Sequence, residues 1–151
     1  MGHAEAARIL NAPPQAVWDC LNDIEHTPEW VSGLAAAEVK TPGPYGAGSI
    51  YHDHNRLGPF PQETPWQVTA FEPVTRQVHE SRSTVLPSTM TLTLDSVPGG
   101  TRVRFSVEYR FLPRLGPVSR LFERVAMDRL LGQVLKQNLA GLDAYLRNKA
   151  T

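Results

Sequence analysis

The chain has 151 residues, 41% hydrophobic and 20% charged, which suits one domain with one core and leaves no room for a second. Fifteen Lys and Arg balance fifteen Asp and Glu, so no overall field recruits nucleic acid, and that class of partner is not expected. The lone cysteine, Cys20, excludes an intrachain disulfide framework, and no apolar run approaches the ~18 residues of a membrane span.

Cys20 sits in an apolar stretch and reads as a small buried hydrophobe, and the opening Met1-Gly2-His3-Ala4-Glu5 lacks the basic and apolar regions of a signal peptide. A cytoplasmic location is the expectation. The charge balance hides an asymmetry. Residues 1–75 carry only Arg8, Lys40 and Arg56 as basic groups, whereas residues 76–151 are rich in arginine. The two halves are oppositely charged, and solvated faces are the expected reading ahead of docking between the halves or steering of an anionic partner.

Residues 4–10 alternate loosely and predict a strand. Pro13 and Pro14 then open a short helix whose Val17, Trp18, Cys20, Leu21 and Ile24 follow a helical stripe. A second helical turn is expected from Thr27 to Val31, with Thr27 as cap, Pro28 at the first helical position and Gly33 as the stop.

From Leu34 to Phe111 the pattern is β, with six strands expected near 34–41, 48–56, 64–71, 75–82, 88–95 and 101–111. The last two are the clearest. Met90, Leu92 and Leu94 alternate with threonines, and Val103, Phe105, Val107 and Tyr109 alternate with charged or polar residues, giving one apolar and one wet face.

After Pro113 the period becomes helical, from near Gly116 and Pro117 to about residue 148. Leu131, Val134, Leu135 and Leu142 are expected to face the sheet, and Arg129, Lys136 and Arg147 to face water. Gly132 is the expected place for a kink or for close approach of a ligand or sheet residue. The elements define an α+β fold in which a curved antiparallel sheet of about seven strands wraps a long C-terminal helix, with two short helices after the first strand. Such a sheet leaves a cavity against the helix.

An ordered set of features extends this reading. It comprises Ala12-Pro13-Pro14-Gln15-Ala16-Val17-Trp18 followed by Asp23, the Glu29-Trp30 pair, Gly46-Ala47-Gly48-Ser49, the run from Trp66 to Pro73, the Gly99-Gly100-Thr101-Arg102-Val103 turn and the long last helix. In this order the chain resembles the START-like SRPBCC superfamily, the helix-grip fold, and within it the polyketide cyclase/dehydrase and lipid-transport group. The resemblance covers nearly the whole chain and implies a single domain over 1–151 with a hydrophobic ligand cavity between sheet and helix. Members include aromatase/cyclases, coenzyme Q-binding proteins, lipid carriers and hormone receptors. It carries no catalytic motif, so candidate residues rest on this sequence.

His52 and His54 share one face of their strand and would need a third ligand, such as Glu63, His79 or Glu80, to hold a metal; no spacing demands one, and no metal or cofactor is expected. In the opposite register Tyr51, Asp53 and Asn55 face inward, and the Gly48-Ser49-Ile50-Tyr51 pattern favours Tyr51 inside. If Val78 points to the core, Glu80 and Arg82 share its face and give the pocket a polar end. The strand ending outside the core is the alternative. The expected ligand-binding set is Trp30, Tyr51, Asp53, Trp66, Val78, Glu80, Arg82, Met90, Leu92, Phe105, Val107, Tyr109, Leu131 and Leu135. Leu57-Gly58-Pro59-Phe60-Pro61 suits an apolar portal lid or a plain hairpin connection.

No phosphate-binding glycine loop, paired cysteines, Gly-x-Ser-x-Gly elbow or His-Glu-x-x-His stretch occurs. The leading expectation is binding or transport of a lipid-, quinone- or polyketide-like molecule. The alternatives are a cyclase/dehydratase-type enzyme using polar cavity residues, and an interaction module using residues 57–61 and Arg102, Arg104 and Arg110. Monomer and dimer stay open.

Overall fold

The computed structural model describes residues 2–57, 60–82, 87–110 and 117–150, without the side chains at 56, 57, 60, 117–124 and 150. Strand β1 (Gly2–Leu10) leads into helix α1 (Pro14–Asn22) and a 3-10 helix over Ile24–Glu29. Six strands follow: β2 (Leu34–Val39), β3 (Ile50–Leu57), β4 (Phe60–Glu72), β5 (Arg76–Ser81), β6 (Ser88–Val97) and β7 (Gly100–Tyr109). Helix α2 (Pro117–Ala150) closes the chain.

All seven strands form one antiparallel sheet in the order β1-β7-β6-β5-β4-β3-β2. Register shifts at Leu34/Ala36 in β2 and Val68/Ala70 in β4 mark bulges, which bend and twist strands and so help the sheet curl. β4 reaches further toward the N-terminus than its sequence suggests because it pairs with β3 back to Leu57 and Phe60. Pro61 is tolerated because β4 has no β5 partner at that point, and Pro65 because it lies at the end of the β4–β5 ladder, where its carbonyl still accepts from the Arg82 N–H (2.8 Å). Gly58 and Pro59 of the expected portal loop lie outside the described residues, as do the side chains of Leu57 and Phe60.

The alternation of β6 and β7 is realised. Leu92, Leu94, Val103, Phe105, Val107 and Tyr109 are buried, while Arg102, Arg104, Glu108 and Arg110 are exposed. α1 adds Val17, Trp18, Cys20 and Leu21 to this core, with the Trp18 ring 5.1 Å from that of Phe71. Burial pushes the Cys20 thiol up to about 11, so it stays protonated and unreactive.

α2 runs for 34 residues, about 51 Å, as one unbroken helix. Leu135, Leu139 and Leu142 are buried against the sheet, Leu131 is half-buried on the same core, and Arg129, Lys136 and Arg147 are exposed. Val134 departs from expectation: it is 37% exposed, at the cavity rim rather than in the core. The close approach expected at Gly132 is not there, since a side chain at that position would meet open space. It occurs three positions beyond Asn138, at Gly141, where a side chain would run into the Trp30 carbonyl oxygen. Asp143 is buried on α2 and held by Arg8 of β1 (2.9 Å) and Arg147 (3.1 Å).

Candidate functional site

A cavity of about 380 Å³ lies between the sheet and α2. Its rim is formed by the segment from Thr27 to Leu34 and by Val134, Leu135 and Asn138 of α2. Tyr51 and Trp66 stack on its sheet side with ring centroids 6.5 Å apart and planes 12° apart, and Trp30 lies 6.3 Å from Phe105. Of the expected ligand-binding residues, Trp30, Tyr51, Asp53, Trp66, Met90, Leu92, Phe105 and Leu135 line this cavity.

Val78, Glu80 and Arg82 do not. β5 has the opposite register: Gln77 and His79 are buried, Val78 is partly buried on the other face, and Glu80 and Arg82 are exposed, with Arg82 donating to Gln67. A polar residue can face inward when its hydrogen bonds are met there, which outweighs the burial of one valine. Val107 and Tyr109 are buried in the core beyond the cavity, where the Tyr109 hydroxyl donates to Asp128. Leu131 packs on that core and is not part of the cavity wall.

In β3 the register places Tyr51 and Asp53 at the cavity and His52 and His54 on the other face. His52 pairs with Glu63, and His54 stands 3.4 Å from Glu38. Among the described residues no group of three His, Cys, Asp or Glu is placed to hold a metal.

The site also uses residues that sequence reasoning missed. Gln77 Nε2 donates to Asn22 Oδ1 (2.5 Å), so Gln77 Oε1 accepts from His79 Nε2 (2.9 Å). His79 Nδ1, then without a proton, accepts from the Tyr51 hydroxyl (2.5 Å). Burial pushes the His79 imidazole down to about 4, keeping it neutral as this chain of bonds requires. Strand pairing held a signal for it: His79 is opposite Met90 and Gln77 opposite Leu92, and opposed residues share a face. Met90 and Leu92 were legible as inward-facing.

Asp53 sits two residues from Tyr51 on the same strand face. Burial raises its carboxyl to about 6, against the pull of His54, a hydrogen bond from the Trp66 indole, and His52. Burial first, and then the Asp53 charge, hold the Tyr51 phenol well above its usual range. Two buried polar atoms of cavity-lining residues, Trp30 Nε1 and Asn55 Oδ1, have no hydrogen-bond partner among the described residues. Together these groups can recognise a ligand's acceptor and donor atoms and hold or move a proton near neutral pH.

Residues 1–147 match the model of the family described as polyketide cyclase/dehydrase and lipid transport. The chain belongs to that family. A comparison with curated proteins gives no match. Among solved structures, the chain is similar to TTHA0849 from Thermus thermophilus, with 18% identity, TM-score 0.80, and 99% of each chain covered. It is also similar to the di-domain ARO/CYC StfQ of the steffimycin biosynthetic pathway, with 14% identity, TM-score 0.80, 98% of this chain and 51% of that one. A START superfamily protein from Mycobacterium smegmatis gives 11% identity and TM-score 0.78 over 98% and 99% of the two chains. At these identities the likenesses show the fold, a START-type helix grip. No helix among the described residues is long and apolar enough to cross a membrane.

Proposed function

We propose that this family member acts as a single domain over residues 1–151 that binds a compact, ring-containing hydrophobic molecule between the sheet and α2. The observation that carries the reading is the aromatic-walled cavity into which the sheet brings Tyr51, Asp53 and His79. Its ~380 Å³ lies toward the lower end of the range for small-molecule sites. That size favours a quinone- or polyketide-like ring system over a two-chain lipid. Trp30 Nε1 and Asn55 Oδ1 would give such a ring one donor and one acceptor. The family's description and the ARO/CYC role of StfQ support the same ligand class. A cytoplasmic setting fits the single, buried cysteine.

The test is fluorescence titration with the uncharged dye N-phenyl-1-naphthylamine. Saturable binding is expected, weakened at least tenfold in a folded Leu92→Trp variant that fills the cavity. Absence of binding, or equal binding by that variant, overturns the reading. A catalytic reading of the cyclase/dehydratase kind is favoured by one specific feature, the hydrogen-bonded chain from Tyr51 to Asn22.

A further inference from the structure

The cavity places a carboxyl group and a phenol side by side on one strand. Asp53 and Tyr51 both line it, and residues i and i+2 of a strand are roughly 7 Å apart on one face. That separation leaves room for a carbonyl oxygen at one group and the neighbouring carbon at the other. Around them lie Trp66, Trp30 and Phe105, whose apolar rings lower the local dielectric and so strengthen electrostatic interactions there.

We propose that the cavity catalyses reversible enolisation of a compact cyclic ketone, with Asp53 as the base and Tyr51 as the hydrogen-bond donor to the developing enolate oxygen. This rests on the ligand-binding reading above and names the class of substrate for the same cavity. In the forward step an Asp53 oxygen takes a proton from the carbon next to the carbonyl. The C–H electron pair forms the C=C bond, and the C=O π pair moves onto oxygen, where the Tyr51 O–H stabilises it. The proton on Asp53, or a solvent proton that has exchanged with it, then returns to the same carbon as the C=O bond reforms. Where the ring carries a double bond one carbon further on, the intermediate is a dienolate and the proton can return to its far carbon instead, an isomerisation with no other reactant.

His79 is a positioning residue. It holds the phenol at 2.5 Å, and it is held in turn by Gln77. With the Gln77 and Asn22 amides turned over, the same contacts accommodate the other neutral imidazole tautomer: Gln77 Nε2 donates to His79 Nε2, His79 Nδ1–H donates to the Tyr51 oxygen, and the phenol proton is free for the ligand oxygen. A base is most effective when its pKa lies near the working pH, and burial brings Asp53 there. The titratable groups that interact with it are Tyr51, His52 and His54 of β3 and Tyr45 in the β2–β3 connection, and His79 of β5 lines the same cavity. Among the described residues, the α2 side chains that line the cavity, Val134, Leu135 and Asn138, carry no charge.

The experiment follows deuterium incorporation at the carbon next to the carbonyl of 1-tetralone by NMR in D2O, alongside tryptophan-fluorescence binding of the same probe. Wild-type protein is expected to bind 1-tetralone and to exchange it at least tenfold faster than Asp53→Asn, which keeps the side-chain shape and the binding. Tyr51→Phe should slow exchange by tenfold or more. His79→Gln should lower the rate at saturation while probe affinity stays within twofold, a split that a purely structural role would not produce. The wild-type rate should rise with pH to a plateau with a midpoint near 6, absent in Asp53→Asn. Binding without exchange, or equal exchange by a folded Asp53→Asn, overturns the inference and leaves the cavity as a carrier site. Binding of the naphthylamine dye without binding of 1-tetralone overturns it equally. Failure of both probes to bind removes the ligand-binding reading itself.

Discussion

Gly141 on α2 lies against the backbone carbonyl of Trp30, with no room for a side chain between them. A second tie sits one turn further on, where the Tyr145 hydroxyl donates to the Glu29 carboxylate (2.8 Å). The two contacts hold the cavity rim to the helix, and Trp30 carries that restraint to Phe105 on the inner sheet face. Gly141→Ala should therefore destabilise the fold by roughly 1–3 kcal/mol through overpacking, although alanine is the better helix former by about 1 kcal/mol. Gly132→Ala meets open space and should instead stabilise by up to about 1 kcal/mol. Urea denaturation of the two variants checks this, and shifts of the same sign would contradict it.

Where one strand face was consistently apolar, its direction was legible in the sequence. Leu92 and Leu94 in β6 and the run from Val103 to Tyr109 in β7 follow alternation alone, as Leu135 and Leu142 follow helical spacing. β5 was not legible by that rule. Its inward residues are Gln77 and His79, and the groups that satisfy them, Asn22 and Tyr51, come from α1 and β3. A polar side chain is read as outward unless its distant partner is known. The helix glycines failed for a similar reason. Nothing local separates Gly132 from Gly141; the difference is the backbone of Trp30, brought there by the 3-10 helix and the turn after it.

His79 and Asp53 should leave opposite marks on the pH dependence of stability. The folded His79 value of about 4 lies below its ordinary 6.5, so the unfolded chain takes the proton first and stability falls as pH drops from about 6.5 to 4. The folded Asp53 value of about 6 lies above its ordinary 3.8, so the folded chain holds the extra proton and stability rises over nearly the same interval as pH drops. Each contribution is up to about 3 kcal/mol, and in the wild type they largely offset one another. Asp53→Asn should uncover a loss of stability on acidification from pH 6.5 to 4, and His79→Gln a gain. Thermal unfolding across that range measures both, and parallel curves for the two variants would refute the assignment.

Asp143 is a buried carboxylate with two arginine partners that are themselves partly exposed. It joins α2 to β1, the first strand of the sheet, through Arg8. Arg8→Ala alone leaves Arg147 in place and should cost about 1–2 kcal/mol. Arg8→Ala with Arg147→Ala leaves the buried charge uncompensated and should cost about 3 kcal/mol or more, exceeding the sum of the single changes. A double-mutant cycle by urea denaturation gives the coupling, and strict additivity would show that the two arginines act independently.

Leu135 and Leu142 are both buried on the sheet-facing side of α2, but only Leu135 also lines the cavity. Leu142→Ala opens a void in close-packed surroundings and should cost about 3–5 kcal/mol, near the upper part of the range for such truncations. Leu135→Ala enlarges space that already exists, so it forfeits fewer packing contacts and should cost about 2–3 kcal/mol. Its clearer effect should be on the ligand: the larger cavity should change the affinity of N-phenyl-1-naphthylamine severalfold, while Leu142→Ala leaves it within twofold in the folded protein. Equal stability losses with unchanged dye affinity in both variants would place Leu135 in the core rather than at the cavity, and would move the functional wall of α2 toward Val134 and Asn138.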